Sequence, residues 1–430
     1  MRPDATVPAS LAPTAVHPGD PAYRNVRSTY VWPGEPGLVL RPRTPEQVAE
    51  AVTFAAARGG PFSVRSGGHG INGRSTNDGG TVVDLGALDT VEVLDRDRRL
   101  VRLGAGARWG DVAATLTPLG LAISSGDHGG VGVGGLATSG GHGFLARSYG
   151  LTVDRVVGAD VVLADGTLVR ADAGHHPDLF WAVRGAGGAM GVVTSFDIEA
   201  AEVGNVVIAV LVHHVTDTPR FLAEWGALVE GAPRALTPWL ILTPGRPTAA
   251  QSILVWAGDG TDAAVEAIQP FADLTPLRGQ QAQLAPYPAL LIPHGGPHTS
   301  SAPMRSHSAL LDHLDGPAPA GLAAMLDDGD VGIIAVRSVG GAVNDLAADA
   351  TAYAHRTQNF SVAAIVREQR RERAAARWTA LGATALYAAF ESHPDDAALT
   401  RAFPPATLAR LRSVKAAYDP GGLFRTTFPL

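Results

Sequence analysis

Two glycine-rich stretches that carry imidazoles concentrate the residue types able to hold an anionic cofactor. The first is Arg65-Ser66-Gly67-Gly68-His69-Gly70, which follows the apolar, strand-like run Pro61-Phe62-Ser63-Val64. Adjacent glycines let a backbone turn sharply and approach a ligand with no Cβ in the way. The successive amides of such a turn form a concavity suited to diphosphate oxygens. A phosphate loop has no need of an imidazole at its end, so His69 is read as a point of attachment to whatever the phosphates belong to. The second stretch is Gly126-Asp127-His128-Gly129-Gly130-Val131-Gly132-Val133-Gly134-Gly135, followed by Ser139-Gly140-Gly141-His142-Gly143. Gly132-Val133-Gly134 alone is weak evidence, because the nicotinamide-type fold wants one such loop in a strand–helix–strand unit, with an acidic residue about 20 positions on. Two separated loops suggest instead an extended diphosphate-bearing cofactor threaded between two small subdomains.

The flanking segments supply elements to position these loops. Leu38-Val39-Leu40 reads as a short strand, and Thr44-Pro45-Glu46-Gln47 as a helix start with a threonine cap and a capping-box glutamine. Val48, Ala51, Val52 and Ala55 continue at helical spacing until Gly59-Gly60. Strands are expected near 81–85, 90–94 and 100–103, and a helix over 109–116. A hairpin is expected over 156–171 about Ala164-Asp165-Gly166. Beyond about residue 201 the glycine clusters stop, helices are expected over 219–230 and 262–271, and a basic amphipathic helix over 408–415 precedes Tyr418-Asp419-Pro420.

Composition removes several classes of function. A net charge of −7 with no Lys/Arg cluster argues against nucleic acid. The chain has no cysteine, which excludes disulfides, thiolate metal sites, iron–sulfur clusters and thiol catalysis. His294, His298 and His307 lie in a proline-bearing loop at spacing too loose for a zinc pattern, so no metal is expected. The longest apolar run, 206–212, is too short to span a bilayer, and the first twenty residues hold no continuous apolar segment of the signal-peptide kind. The expectation is a soluble cytoplasmic protein. At 430 residues two domains are expected.

Further motifs follow in order: Arg147-Ser148-Tyr149-Gly150-Leu151 with Asp154, then 178–185 (Asp-Leu-Phe-Trp-Ala-Val-Arg-Gly) and Gly191-Val192-Val193-Thr194. Gly340-Gly341-Ala342, 351–356, Lys415 and Phe424-Arg425 complete them. With the two glycine loops, this series resembles the vanillyl-alcohol-oxidase (para-cresol methylhydroxylase-like) superfamily of flavoproteins, nearest its berberine-bridge-enzyme-like and 6-hydroxynicotine-oxidase-like branch. The resemblance covers the chain from about Tyr23. It implies an α+β, two-domain flavoprotein: a para-cresol methylhydroxylase-type FAD-binding domain and an α+β substrate domain with an antiparallel sheet. The expected division is a flexible lead over 1–20, the FAD-binding domain over 21–200, the substrate domain over 201–385, and a segment over 386–430 that returns to the first domain.

The same resemblance implies FAD held by Arg65, Ser66, Gly67, Gly68, His69, Gly70, Val131, Gly132, Gly134, Gly135, Thr138, Ser139, Gly140, Gly141, Gly143, Val192 and Val193. His69 matches the histidine that relatives join to the flavin 8α-methyl carbon. The position of a second, cysteinyl bond in many relatives is His128, so only a single histidyl link is expected. The implied reaction takes a hydride from a C–H beside an alcohol or amine of a small molecule to flavin N5. Val131, at the position thought to gate oxygen, points to an oxidase that reduces molecular oxygen to hydrogen peroxide. Candidates for the catalytic acid–base group are Tyr387, His128 and Glu391. Two family asparagines are missing, one from the stretch Tyr387-Ala388-Ala389-Phe390 and one at Gly422. The alternatives are a dehydrogenase or oxidative cyclase of secondary metabolism, and a redox-inactive flavin-fold binding protein.

Overall fold

Thr44 opens the first long helix as its neighbours predict. Its side chain accepts the Gln47 amide at 3.3 Å, which satisfies one orphan donor, while the Gln47 carboxamide accepts the amide of Arg43, one residue before the cap, at 2.8 Å instead of closing the expected capping box on Thr44. The helix runs Pro45–Arg58 and stops at Gly59. The structure is a computed structural model and describes residues 6–430. Its strands are β1 (Leu38–Leu40), β2 (Phe62–Arg65), β3 (Thr81–Asp84), β4 (Val91–Asp95), β5 (Leu100–Gly104), β6 (Leu121–Ala122), β7 (Val156–Val162), β8 (Leu168–Asp172), β9 (Val192–Glu199) and β10 (Ala201–Glu202). A second series comprises β11 (Asn205–Val215), β12 (Leu236–Thr243), β13 (Thr248–Ala257), β14 (Leu277–Pro286), β15 (Arg305–Leu311), β16 (Val331–Ser338) and β17 (Phe360–Val366).

The first series builds three sheets, of which β6 and β10 make a two-stranded antiparallel one and the other two enclose one core. A three-stranded parallel sheet has the order β1-β3-β2, and a five-stranded antiparallel sheet has the order β4-β5-β9-β7-β8. Val52, Val83, Leu103, Trp109, Val161 and Phe196 are buried between them and the helices. Leu408, Leu411, Val414 and Phe424, from the helix Pro405–Tyr418 and its tail, pack into the same core. Part of the segment expected as a flexible lead is ordered: Leu11 is fully buried, and Val16 pairs with Val39. Its apolar side chains cover an edge that β1 leaves open. Residues 1–5 of that lead lie outside the described residues.

The second series forms one seven-stranded antiparallel sheet, β14-β11-β13-β12-β16-β17-β15. Successive side chains of a strand point to opposite faces, and both faces here are apolar. Leu211, Leu240, Leu254, Ile334 and Val336 face the helices Thr218–Gly231, Thr261–Ala272 and Pro317–Asp327. Ile208, Trp239 and Val255 pack with Phe144 and Leu145 of the first domain. The sheet is therefore sandwiched, helices on one side and the glycine-rich domain on the other.

The ion pair Arg356–Asp154 crosses between the two halves. Arg356 donates from both terminal nitrogens to the carboxylate at 3.0 and 2.7 Å, and also to Thr351 Oγ1. Both side chains are 3 % exposed. Removing one member of a buried pair strands the other charge at a cost of about 3–5 kcal/mol. Asp154→Asn should lower the unfolding free energy by about that amount in urea titrations; a loss below about 1 kcal/mol would mean that the pair is not buried in solution.

Candidate functional site

Chain geometry brings the two glycine stretches into direct contact. The segment Ala105–Gly110 after β5 serves as a strip to which the second stretch is zipped. Trp109 and Gly110 amides donate to the carbonyls of Val131 and Gly129, and the Val133 and Gly134 amides donate back to Ala107 and Ala105, all at 2.9–3.0 Å. Ser66 donates its hydroxyl to Ala105 O at 2.6 Å, which fixes the first stretch to the same strip. The two backbones then cross so closely that a Cβ on Gly67 would overlap the Gly132 amide nitrogen, and one on Gly132 would overlap Gly67 N and Ser66 Oγ. Neither position tolerates a side chain, for reasons of space and not of torsion.

The crossing fits a diphosphate-bearing cofactor. The amides of Gly67, Gly68, His69 and Gly70 donate to no group among the described residues, which leaves successive donors for anionic oxygens. The His69 Nε2 atom is buried and has no hydrogen-bond partner. Tyr30 stacks on the His69 ring at 4.8 Å, while the His128 and His298 rings lie at 4.6 and 4.7 Å. Burial, reinforced by His298 and His128, holds the His69 imidazole down to about 3. It is neutral at physiological pH, with a lone pair free for bonding.

The other expected residues occupy several places. Arg65 spends its guanidinium on the protein, donating to Ser75 O and Val26 O and lying 3.8 Å from Asp84. Val131 is half-buried beside the crossing. Val133–Ser139 forms a short helix, a difference from the uninterrupted loop suggested by the glycine count. Thr138 and Ser139 turn their hydroxyls back to that helix, to Gly134 O and Gly135 O. Val192 and Val193 are buried in β9. Gly143 packs against Ser125.

Gly140 and Gly141, at the far end of the helix, meet a buried aromatic cluster. Tyr387 stacks on His142 at 4.0 Å, its hydroxyl accepts the Gly141 amide at 3.2 Å, and His142 Nε2 lies 3.1 Å from the Tyr353 hydroxyl. Burial pushes Tyr387 up to about 12, raises Tyr353 further, and depresses His142 well below the ordinary imidazole value. His142 Nδ1 is left without a partner. Gly140 has φ +147°, and a Cβ there would lie 2.9 Å from the Tyr387 ring.

The three acid–base candidates are not gathered at one point. His128 adjoins His69 and accepts the Gly130 amide at 3.0 Å. Glu391 lies under the second sheet, where its oxygens accept the Ser308 and His393 amides at 3.0 and 2.8 Å. His307 and His393 flank the same carboxylate, each at 3.4 Å. Despite burial, which opposes it, hydrogen bonds from those imidazoles and the Ser308 amide hold Glu391 at about 2. The loop histidines divide: His298 reaches Gly67 O at 3.1 Å, whereas His307 belongs to the Glu391 group. Asp178 pairs with Arg410 and not with Arg184. Tyr30, Trp239 and Arg337 have no motif that marks them in the sequence, whereas Tyr353 lies in the 351–356 motif without having been singled out as a site residue.

Comparison with known proteins agrees with this geometry. Residues 36–172 match the FAD binding domain family. Over 206 residues the chain is 37 % identical to (R)-6-hydroxynicotine oxidase of Paenarthrobacter nicotinovorans, covering 47 % of this chain and 44 % of that protein. Over 202 residues it is 40 % identical to xylooligosaccharide oxidase of Thermothelomyces thermophilus, covering 46 % of this chain and 40 % of that protein. The aligned segments thus span less than half the length of these curated relatives. The solved xylooligosaccharide oxidase from Myceliophthora thermophila C1, in complex with xylobiose, superposes with a TM-score of 0.84 at 26 % identity, over 98 % of this chain and 96 % of that one. BBE-like 1 of Physcomitrella patens gives 0.86 at 21 % identity, over 98 % of both chains.

Fold and loop crossing together define a two-domain FAD-binding protein of the para-cresol methylhydroxylase type. Residues 36–172 carry the FAD binding domain; beyond that, the chain is similar to 6-hydroxynicotine oxidase over the aligned segment and to the BBE-like protein in fold.

Gly132→Ala should abolish FAD retention on gel filtration, because the loops can no longer cross; a variant that keeps its cofactor would show that the crossing yields at little cost. The low His69 value has a consequence for acid stability. Between pH 6.5 and about 3 the unfolded imidazole takes a proton that the folded one refuses. Stability is therefore full above pH 6.5 and falls as the pH drops through that window. In the cofactor-free protein, the urea midpoint of His69→Gln should fall less steeply between pH 7 and 5 than that of the parent.

Proposed function

We propose that the protein is an FAD-dependent oxidase that removes a hydride from a C–H beside an alcohol or amine, with FAD bonded covalently to His69. The observation that carries the reading is the buried, neutral and unpartnered His69 Nε2 at the crossing of the two glycine loops. Bound FAD supplies a two-electron acceptor for hydride, with oxygen as the final acceptor giving hydrogen peroxide. The names of the relatives, nicotine and oligosaccharide oxidases, support the reaction class. A second, cysteinyl bond is ruled out by composition.

The chain's own residues divide the remaining work. A neutral imidazole is the reactive form for forming a bond to carbon, and the desolvation that depresses His69 keeps it so across the physiological range. Tyr30, stacked on one face of His69, and His298, which donates from Nε2 to Gly67 O and packs edge-on to the ring, hold it against rotation. Tyr387, held up to about 12, stays protonated near neutral pH and acts as a hydrogen-bond donor to the substrate heteroatom more readily than as a base. His128, only half-buried, is the better proton acceptor. Glu391 is too acidic and too fully bonded to exchange protons near neutrality, and we assign it to holding the 387–393 loop in place.

Mass spectrometry of the His69 peptide from acid-precipitated protein should show the added mass of FAD. An unmodified peptide from yellow protein would reduce the link to a contact. His69→Ala should release its flavin on denaturation and turn over at least tenfold more slowly. Tyr387→Phe should keep the flavin spectrum and lose about 10²-fold in kcat, while Glu391→Gln should lose stability first. Slow return of the yellow colour when reduced protein meets air would favour the dehydrogenase alternative.

A further inference from the structure

The face of the seven-stranded sheet turned toward the FAD-binding domain carries one continuous cross-strand row. Gln281 pairs with Val210, Val210 with Ile253, Ile253 with Trp239, and Trp239 with Arg337. Each strand thus contributes one side chain to a line with an amide at one end, three apolar side chains in the middle and a guanidinium at the other end. A cavity of about 270 Å³ lies over this row and is lined as well by Asp127, Phe144 and Ile292. Ligand pockets usually run from about 300 to 1,000 Å³, so this one suits a single ring system and not a chain of sugars. Val210 and Ile253 in the middle of the row and Ile292 in the lining are apolar, and the polar lining groups Gln281, Gln283, Asp127 and Arg337 lie about them.

Arg337 is the one cationic side chain among the described residues that line the cavity, beside the polar groups Asp127, Gln281 and Gln283. Its guanidinium lies 4.7 Å from the centroids of both Trp239 and Phe390, held between two rings. Among the described residues it donates no hydrogen bond, and the nearest carboxylate, Asp127, is 3.6 Å away and 42 % exposed. A guanidinium has five donors in a planar fork that matches a carboxylate. Phe390 in turn meets Tyr387 edge-on at 4.9 Å, which links this end of the cavity to the aromatic cluster.

We propose that this cavity takes a compact, ring-bearing and mainly apolar substrate with a carboxylate, and that Arg337 is the carboxylate's partner. The proposal rests on the oxidase reading above, whose substrate class it names. The test is calorimetric titration of the holoprotein with phenylacetate, with its neutral counterpart 2-phenylethanol, and with xylobiose. Phenylacetate should bind at least tenfold more tightly than 2-phenylethanol, and xylobiose should give no measurable heat. Arg337→Gln should remove the preference for phenylacetate while leaving 2-phenylethanol within twofold. Arg337→Lys, which keeps charge and bulk without the fork, should retain part of the preference and covers the case in which the glutamine variant fails to fold. Equal binding of the two aryl ligands by the parent protein, or tighter binding of xylobiose, overturns the assignment. Visible absorbance of the same preparation separates the two readings. A yellow protein without the carboxylate preference sinks the pocket assignment alone, whereas a colourless one sinks the oxidase reading and this assignment with it.

Discussion

The close crossing of two backbones at Gly67 and Gly132 is the constraint on which the rest of the site depends. Main chain meets main chain there, and a single methyl group on either strand of the crossing would overlap the other. The approach is held by hydrogen bonds to a third segment, Ala105–Gly110, so neither loop sets the geometry alone. Because the crossing consumes the amides of Val133 and Gly134 but leaves those of Gly67 to Gly70 unpaired, it presents donors on one side only. His69 follows directly in the chain, and its ring is carried to the lip of that donor surface.

Burial then decides the chemistry of the groups around the crossing. His69 and His142 lie where a positive charge would be poorly solvated, and the neighbouring imidazoles and arginines oppose it further. The same desolvation keeps Tyr353 and Tyr387 protonated. His69, His142, Tyr353 and Tyr387 are thus all driven to their neutral forms, while the buried charges of Arg356 and Asp154 compensate each other. Glu391 shows the converse: a carboxylate as deeply buried stays ionised because amides and imidazoles surround it. What distinguishes the two cases is the local supply of donors, not depth.

The seven-stranded sheet joins these parts. Its apolar side chains alternate between two cores, one shared with its own helices and one shared with the cofactor domain. A one-residue slip in any central strand would exchange the two faces, moving Trp239 and Arg337 out of the cavity and into the helix layer. Register in this sheet is consequently part of the site, although none of its strands carries a recognisable motif.

Local signals were readable wherever a few adjacent residues settle the outcome. The Thr44 cap, the helix over Trp109–Leu116 and the hairpin at Asp165-Gly166 depend on contacts within a few positions. The glycine loops and His69 were legible because close approach leaves a signature in residue type. The short helix starting at Val133 was not, since glycine-rich segments have low helix propensity and the first amides of this one are bonded to the distant carbonyls of Ala107 and Ala105. Nor was the stacking of Tyr387 on His142, which unites positions some 245 apart, or the line from Gln281 to Arg337, which takes one residue from each of five strands. The amino-acid order determined which cofactor chemistry the chain could support, because that chemistry needs particular side chains in short runs. Only the tertiary structure decided the shape and polarity of the cavity, because cross-strand neighbours are chosen by sheet order and register, and neither is encoded in any one segment.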